Sequence, residues 1–154
     1  MPAPKEETMN LVVRKMIPAS REEVFSAWTD PKSIRQWMCP GDITEAEAQL
    51  DVRVGGAYRI IMKGKDKNHH HSGVYQVVDR PARLVFTWNT AGTGNQEILA
   101  ANQETLVTVE LHARGESTEL VLTHERFPTS EARDRYQGGW STIADKLAAQ
   151  FAKK

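Results

Sequence analysis

The sequence predicts an α+β fold in which one long C-terminal helix packs across a curved antiparallel sheet of about six or seven strands. Three observations support this. A β-rich segment and two short helical segments open the chain, the hydrophobic period changes from about 3.6 to 2 over residues 43–124, and one helical stripe closes the chain. We expect residues 9–152 to form a single domain, and the proline-containing, charged residues 1–8 to form a flexible tail.

Composition and charge exclude several classes of protein. Lysine plus arginine (20) balances aspartate plus glutamate (20), so the net charge is +0 and offers no excess of cations for nucleic acid. The single cysteine excludes an intramolecular disulfide and a thiolate-rich zinc site. No nucleophile elbow, phosphate loop or dinucleotide fingerprint is present. We therefore expect no nucleic-acid partner, no cofactor and no catalysis by a standard motif.

The chain shows no signal for export or membrane insertion. Its first residues lack the apolar core of a signal peptide. No window approaches the roughly 18 apolar residues that a spanning helix needs. We expect a cytoplasmic protein without a membrane partner, whose thiol stays reduced.

The first predicted elements are a strand and two short helices. Residues 10–17 are β-rich and predict the strand. Ser20 followed by Glu23 is a capping box that opens a helix, and Asp30 with Pro31 breaks that helix and starts a second one. The second helix stops at residues 39–41, and its apolar side consists of Ile34, Trp37 and Met38.

Six further strands are predicted where apolar and polar residues alternate between turn residues. Residues 89–102 separate two of them and are interpreted as the longest loop. The predicted strands are 43–50, 57–63, 71–78, 83–88, 104–112 and 118–124.

One long helix is predicted after Pro128, capped by Thr129 or Ser130. It is roughly 33 Å long, comparable with the roughly 30 Å width of a seven-stranded sheet. A straight helix cannot follow a curled sheet everywhere, so close contact at one end leaves a space at the other, roofed by the short helices. The apolar stripe of the helix consists of Tyr136, Trp140, Ile143, Leu147 and Phe151.

Six strings of the sequence resemble one known family. They are VFSAWTDP (24–31), QWMCP (36–40), DVRVGGAYR (51–59), PARLVFTW (81–88), LTHERF (122–127) and GGW (138–140). In order and spacing they resemble the bacterial proteins similar to the C-terminal domain of the activator of the ninety-kilodalton heat-shock protein's ATPase. The resemblance spans about residues 10–150. It implies the helix-grip fold of the START-like superfamily (SRPBCC), which also holds polyketide cyclases and the Bet v 1 allergens.

The resemblance implies an apolar ligand between sheet and long helix, and it leaves three functions open. The leading hypothesis is a carrier or sensor for a small apolar or aromatic molecule. The second is an enzyme of the cyclase or hydrolase type, in which His124 or Tyr75 moves protons in the same cavity. The third is a chaperone-linked or stress-response interaction module, which the resemblance alone suggests. Because fold does not select among them and no catalytic motif is present, we favour binding over catalysis.

Strand parity and the helix stripe direct many aromatic and methionine side chains to one interior. Each alone fits an ordinary core, but a purely structural core uses more Leu, Ile and Val than Trp and Tyr. We therefore expect a cavity of about 300–1,000 Å³. An unliganded interior filled by side chains, with no cavity large enough for a small organic molecule, would remove the carrier or sensor hypothesis. The predicted ligand-binding residues are Trp37, Met38, Tyr58, Ile60, Met62, Tyr75, Phe86, Trp88, Val109, His124, Phe127, Tyr136, Gly139, Trp140 and Ile143.

Several residues near this interior have structural interpretations beside functional ones. His124 could act as a general base, but a structural hydrogen bond to a loop carbonyl is favoured. The histidines at 69–71 are interpreted as a solvated hairpin turn rather than a metal site. Cys39 lacks the base that a nucleophile needs. Gly138 and Gly139 either leave room for a ligand, let the helix flex, or let the helix approach the sheet closely.

The outward face of the predicted sheet offers a candidate homodimer contact. Scattered apolar residues on a surface are normal, but a cluster of them could pair two copies by two-fold symmetry. The solvated Arg59 and Arg83 share this face with its apolar residues, which are Ile61, Val74, Val78, Val85, Leu106 and Val121.

Overall fold

A computed structural model describes residues 10–39, 43–65, 68–91, 104–127 and 129–152. Within these ranges the chain forms the α+β arrangement that the sequence predicts. The strands are β1 (Leu11–Ile17), β2 (Glu45–Leu50), β3 (Ala57–Lys63), β4 (Asn68–Asp79), β5 (Arg83–Ala91), β6 (Thr105–Arg114) and β7 (Ser117–Glu125). The helices are α1 (Arg21–Thr29), α2 (Pro31–Trp37) and α3 (Ser130–Ala152).

The seven strands form one curled antiparallel sheet in the order β1-β7-β6-β5-β4-β3-β2. Strands β2 to β7 follow one another as a meander, and β1 pairs with β7 at the edge. The register between β4 and β5 shifts between Tyr75 and Val77, and such a bulge increases the local twist. Gly73 lies in this region, and a Cβ there would stand 2.0 Å from the Thr87 carbonyl oxygen. Only glycine permits this approach of β4 to β5.

The predicted caps fix where the helices begin. The Ser20 hydroxyl accepts a hydrogen bond from the Glu23 N–H at 3.2 Å, and the Glu23 carboxylate accepts from the Ser20 N–H at 3.1 Å. Asp30 caps α2, whose first residue is Pro31. The Thr129 hydroxyl accepts a backbone N–H from the first turn of α3 at 3.1 Å. Each cap satisfies N–H groups that a helix leaves unpaired at its start.

The long helix α3 and the short helix α2 lie against opposite edge strands of the sheet. Helix α3 lies along β1, where Lys15 pairs with Asp145 at 2.9 Å and the Gln137 side chain donates to the Val12 carbonyl at 3.3 Å. Helix α2 lies against β2. Both edge strands therefore have a helical cover, which limits edge-to-edge pairing with another chain. None of the described helices is long and apolar enough to cross a membrane.

Two predicted boundaries in the sheet are wrong. Strand β4 begins at Asn68, so the histidines at 69–71 lie within a strand and do not form a solvated turn. Strand β5 continues to Ala91, beyond the predicted end at Trp88. In β4 the polar His69 and His71 share the inward parity, so a search for alternating hydrophobicity starts this strand too late. The predicted tail at 1–8, part of the predicted helix stop at 40–41 and the predicted loop at 92–102 lie outside the described residues.

The outer face of the sheet is less exposed than the sequence suggests. Arg59 and Arg83 are exposed as predicted, whereas Val85 and Val121 are buried. Long polar side chains on neighbouring strands cover such positions; Val121, for example, pairs with Arg14 and Glu110. Pairing of two copies through this face stays a prediction.

Candidate functional site

A layer of aromatic rings covers the concave side of the sheet. The centroid of the Trp28 ring lies 4.8 Å from that of Trp37 and 6.3 Å from that of Trp140. Trp140 in turn lies 5.2 Å from Trp88 on β5. Tyr58 on β3 contacts the Phe86 ring edge-on at 5.4 Å. The layer therefore joins all three helices to the central strands.

A small space lies inside this layer of the described residues. It is lined by Trp28, Ile34, Met38, Leu50, Tyr58, Ile60, Tyr75, Leu84 and Phe86. The space lies between the short helices and strands β2 to β5, and no residue of α3 lines it. The sequence argument expects a space roofed by the short helices but lying between the sheet and the long helix, and the long helix does not line this one.

The size of the space differs from the expectation. Its volume is about 10 Å³, near the lower limit for a single water molecule. The predicted cavity of about 300–1,000 Å³ is not found in the described interior. Indole and phenol rings directed inward from the short helices and central strands fill most of the gap that the curled sheet creates. A ligand of several rings requires this interior to open.

The predicted site residues divide between the cavity wall and the filled core. Five of them line the space: Met38, Tyr58, Ile60, Tyr75 and Phe86. Eight are buried in packing beyond it, and Tyr136 and Gly139 are half-buried. The eight buried residues are Trp37, Met62, Trp88, Val109, His124, Phe127, Trp140 and Ile143.

The prediction missed four residues of the wall. Leu84 shares the inner face of β5 with Phe86, so the alternation along this strand already indicated that its side chain points inward. Trp28 and Ile34 lie on the core side of the two short helices, which were already expected to roof the space. Leu50 is the last residue of β2, where weak alternation gave no clear parity.

His124 lies at the centre of a directed chain of hydrogen bonds. The Trp140 indole donates to Nδ1 of His124 at 2.9 Å. An indole N–H can only donate, so Nδ1 is the acceptor and the ring proton sits on Nε2. Nε2 lies 2.7 Å from the Thr105 hydroxyl, which donates to the Trp88 carbonyl at 2.9 Å. The chain thus runs from α3 through β7 and β6 to β5.

This chain gives His124 a structural role. The predicted partner was a loop carbonyl; the observed partners are an indole and a hydroxyl, because the residue faces the core. Burial lowers the pKa of His124 to about 3, so the ring is neutral at physiological pH. Its one basic lone pair accepts from Trp140, so no free nitrogen is available to take a proton from a substrate.

His71 is buried in the core, contrary to the prediction of a solvated turn. Its ring stacks on Trp88 with centroids 4.5 Å apart and planes inclined by 25°. Burial first, and the neighbouring His69 and His70 second, lower its pKa to about 3. Period-2 geometry places this ring on the inner face of β4, beside Ile60 on β3.

The phenols on the cavity wall are neutral as well. Tyr58 donates its hydroxyl proton to the Thr87 carbonyl oxygen. Burial raises the pKa of Tyr58 well above its ordinary value and also raises that of Tyr75. Among the described residues, no Asp, Glu, Lys, Arg or His lines the cavity. The wall is therefore uncharged at neutral pH.

Buried polar atoms without partners occur in this interior. Within the described part of the chain, Nε1 of Trp28, Nδ1 of His71 and Nδ1 of His69 are buried and have no hydrogen-bond partner. Leaving such an atom unpaired costs about 1–3 kcal/mol, and native proteins keep few of them. Two of these residues, Trp28 and His71, belong to the aromatic layer.

Gly138, Cys39 and the possible metal ligands were the remaining candidates of the sequence analysis. A Cβ added to Gly138 would meet nothing within 4 Å, so this glycine does not permit a close approach between α3 and the sheet. Cys39 is buried, and burial raises the pKa of its thiol, which disfavours the nucleophilic thiolate. In the ranges that the structure covers, no three His, Cys, Asp or Glu side chains are grouped to hold a metal ion.

The profile of the family described as Activator of Hsp90 ATPase homolog 1-like protein matches residues 18–152. The chain belongs to this family. All six strings that carry the sequence resemblance lie inside the matched range. No curated protein matches the chain.

Solved structures share the fold of this Activator of Hsp90 ATPase homolog 1-like chain. A protein from Rhodobacter sphaeroides has a TM-score of 0.78 at 22% identity, covering 96% of this chain and 95% of its own. Protein CV1439 from Chromobacterium violaceum has a TM-score of 0.77 at 21% identity, covering 92% and 96%. CalU16 from Micromonospora echinospora has a TM-score of 0.67 at 25% identity, covering 92% and 73%. The fold is the predicted helix grip, which is compatible with a ligand-binding domain.

Proposed function

We propose that this protein binds a small apolar or aromatic molecule in the space between the short helices and the sheet, as a carrier or a sensor. The observation that carries the proposal is the aromatic wall around the residual space, uncharged and continuous from α1 to the central strands. Edge-to-face and tilted rings offer flat apolar surfaces to a planar ligand. The proposed position is beneath α1 and α2, over strands β2 to β5, rather than beneath the long helix.

Binding requires the roof of the space to move outward, and two polar contacts of α2 with neighbouring elements lie at the surface. Arg35 on α2 pairs with Glu45 at 2.9 Å, and Gln36 accepts a hydrogen bond from Gln150 on α3 at 2.8 Å. Both contacts are at the surface, where such interactions contribute about 1 kcal/mol or less. The buried contribution of α2 comes mainly from Ile34 and Trp37. A planar ligand that inserts below these two side chains replaces their apolar contacts with its own.

Titration with N-phenyl-1-naphthylamine tests the proposal, because this uncharged probe fluoresces strongly in apolar surroundings. We expect saturable binding of one probe per chain. Native mass spectrometry of protein purified from its own host provides a second test, in which a retained small molecule adds a defined mass. A bare chain in the mass spectrum, together with no saturable probe binding, would refute the proposal.

A pair of matched variants locates the bound probe. Leu50→Trp adds a large ring at the wall, so we expect at least tenfold weaker probe binding. Ile61→Trp adds the same ring one strand away on the outer face and should retain wild-type affinity. Equal loss in both variants, or in neither, would place the probe outside this interior.

A further inference from the structure

Trp28 differs from the other three tryptophans in its hydrogen bonding. The indole N–H groups of Trp37, Trp88 and Trp140 donate to Ser33 at 3.0 Å, Tyr136 at 3.5 Å and His124 at 2.9 Å. The indole N–H of Trp28 has no partner among the described residues. The Trp28 side chain is only 4% exposed, and it forms part of the cavity wall.

The wall around Trp28 selects against charge. A carboxylate or ammonium placed there would lose its hydration and find no counter-charge, because the described wall residues are aliphatic and aromatic side chains with one indole and two phenols. Tyr58, one of the two phenols, already donates to a backbone carbonyl. An occupant is therefore uncharged, and an unpaired donor at the wall favours an occupant that carries an acceptor.

Two other partners for this N–H are weaker. The Trp37 ring, in a T-shaped arrangement 4.8 Å away, offers at most a π face, which is a poorer acceptor than an oxygen atom. A water molecule would need two to four polar partners, and the space of about 10 Å³ barely admits one. A carbonyl or ether oxygen on a bound ring system would satisfy the N–H directly.

We infer that the interior selects uncharged aromatic molecules bearing a hydrogen-bond acceptor, and that the indole N–H of Trp28 is the donor that recognises the acceptor. This inference rests on the proposed function and narrows its ligand class. The donor belongs to α1, the aromatic wall supplies the apolar contacts, and the acceptor fixes the orientation of the ligand in the space.

Fluorene and 9-fluorenone form a matched pair of probes, because they share one ring skeleton and differ at a single carbon, which is CH₂ in fluorene and C=O in fluorenone. Their affinities are measured by displacement of N-phenyl-1-naphthylamine. In a site without a donor, fluorenone binds more weakly than fluorene because its carbonyl loses hydrogen bonds to water. We expect the wild-type protein to bind fluorenone about tenfold more tightly than fluorene.

Three variants assign the donor through this affinity ratio, which cancels any general loss of stability. In Trp28→Phe the ratio should fall to one or below, whatever the change in fluorene affinity itself. In Trp37→Phe and in Tyr75→Phe the preference for fluorenone should persist. A preference that persists in Trp28→Phe, or that disappears in Tyr75→Phe alone, would overturn the assignment.

The same experiment separates failure of this inference from failure of the proposed function. If fluorene and fluorenone bind equally to the wild type, ligand binding stands and the role of Trp28 is refuted. If neither probe binds, both proposals are refuted. In an amide and indole ¹⁵N correlation spectrum, the indole peak that is missing in Trp28→Phe should shift downfield with fluorenone and much less with fluorene; equal shifts would also refute the donor role.

Discussion

The two buried imidazoles should make the protein lose stability in mild acid. Burial lowers the pKa of His71 and of His124 to about 3 in the folded chain, whereas histidine in an unfolded chain titrates near 6.5. Above pH 6.5 both states are neutral and the two histidines have no effect. As the pH falls from 6.5 toward 3, the unfolded chain takes up protons that the folded chain excludes, so the free energy of unfolding decreases.

The magnitude follows from proton linkage. Each histidine lowers the free energy of unfolding by about 1.4 kcal/mol per pH unit below pH 6.5. Between pH 7.5 and pH 5 this gives about 2 kcal/mol for each ring and about 4 kcal/mol for both. That is a large fraction of the roughly 5–15 kcal/mol typical of a domain. This pH range lies above the region in which ordinary carboxylates take up protons.

Urea denaturation monitored by tryptophan fluorescence at pH 7.5, 6.5 and 5 measures this effect. His71→Phe keeps a ring against Trp88 but removes one titrating group, so the variant should gain about 2 kcal/mol relative to wild type between pH 7.5 and pH 5. His70→Gln alters a side chain on the other strand face and should leave the wild-type pH dependence unchanged. If the difference in free energy of unfolding between His71→Phe and wild type does not change with pH, the reasoning is refuted. That result would mean that the Trp88 π face stabilises protonated His71 in the folded chain.

Four smaller predictions concern stability and use the same denaturation assay. Gly138→Ala should add about 1 kcal/mol, because the new methyl group meets no atom and alanine favours a helix; any loss would contradict this. Gly73→Ala should remove about 3 kcal/mol or prevent folding, because its Cβ would overlap a backbone carbonyl of β5; a wild-type midpoint would refute this. Trp140→Phe should cost about 3 kcal/mol, since it leaves Nδ1 of His124 without its donor; a loss below about 1 kcal/mol would argue against the assigned tautomer. Ser20→Ala should cost about 1 kcal/mol by removing the capping box, and no change would make that cap energetically irrelevant.

Elements that depend on local chemistry were predictable from the sequence. The capping box at Ser20 and Glu23, the break at Asp30 and the single stripe of the long helix each follow from interactions within one or two turns. The family resemblance supplied the helix-grip arrangement. The argument from a straight helix on a curled sheet predicted a roof of short helices, but it made the long helix one wall of the space, which it is not. These arguments need only backbone geometry and the spacing of apolar residues.

The size of the space and the partners of the histidines could not be predicted in this way. Whether inward rings leave a cavity depends on rotamers and on contacts between residues far apart in sequence, such as Trp28 with Trp140. Three consecutive histidines indicate a polar surface by composition. Only the pairing of β4 with β3 and β5 shows that the third of them, His71, faces the core.

A closed interior bears on the choice between a carrier and a sensor. A carrier with a preformed cavity would bind its ligand with little change at its surface. Here the space beneath α1 and α2 holds at most one water molecule, so ligand binding must be coupled to displacement of the roof. That displacement would break the Arg35–Glu45 pair and the Gln36–Gln150 contact, both at the surface. Binding would therefore change the surface that a partner could contact, which is the property of a sensor.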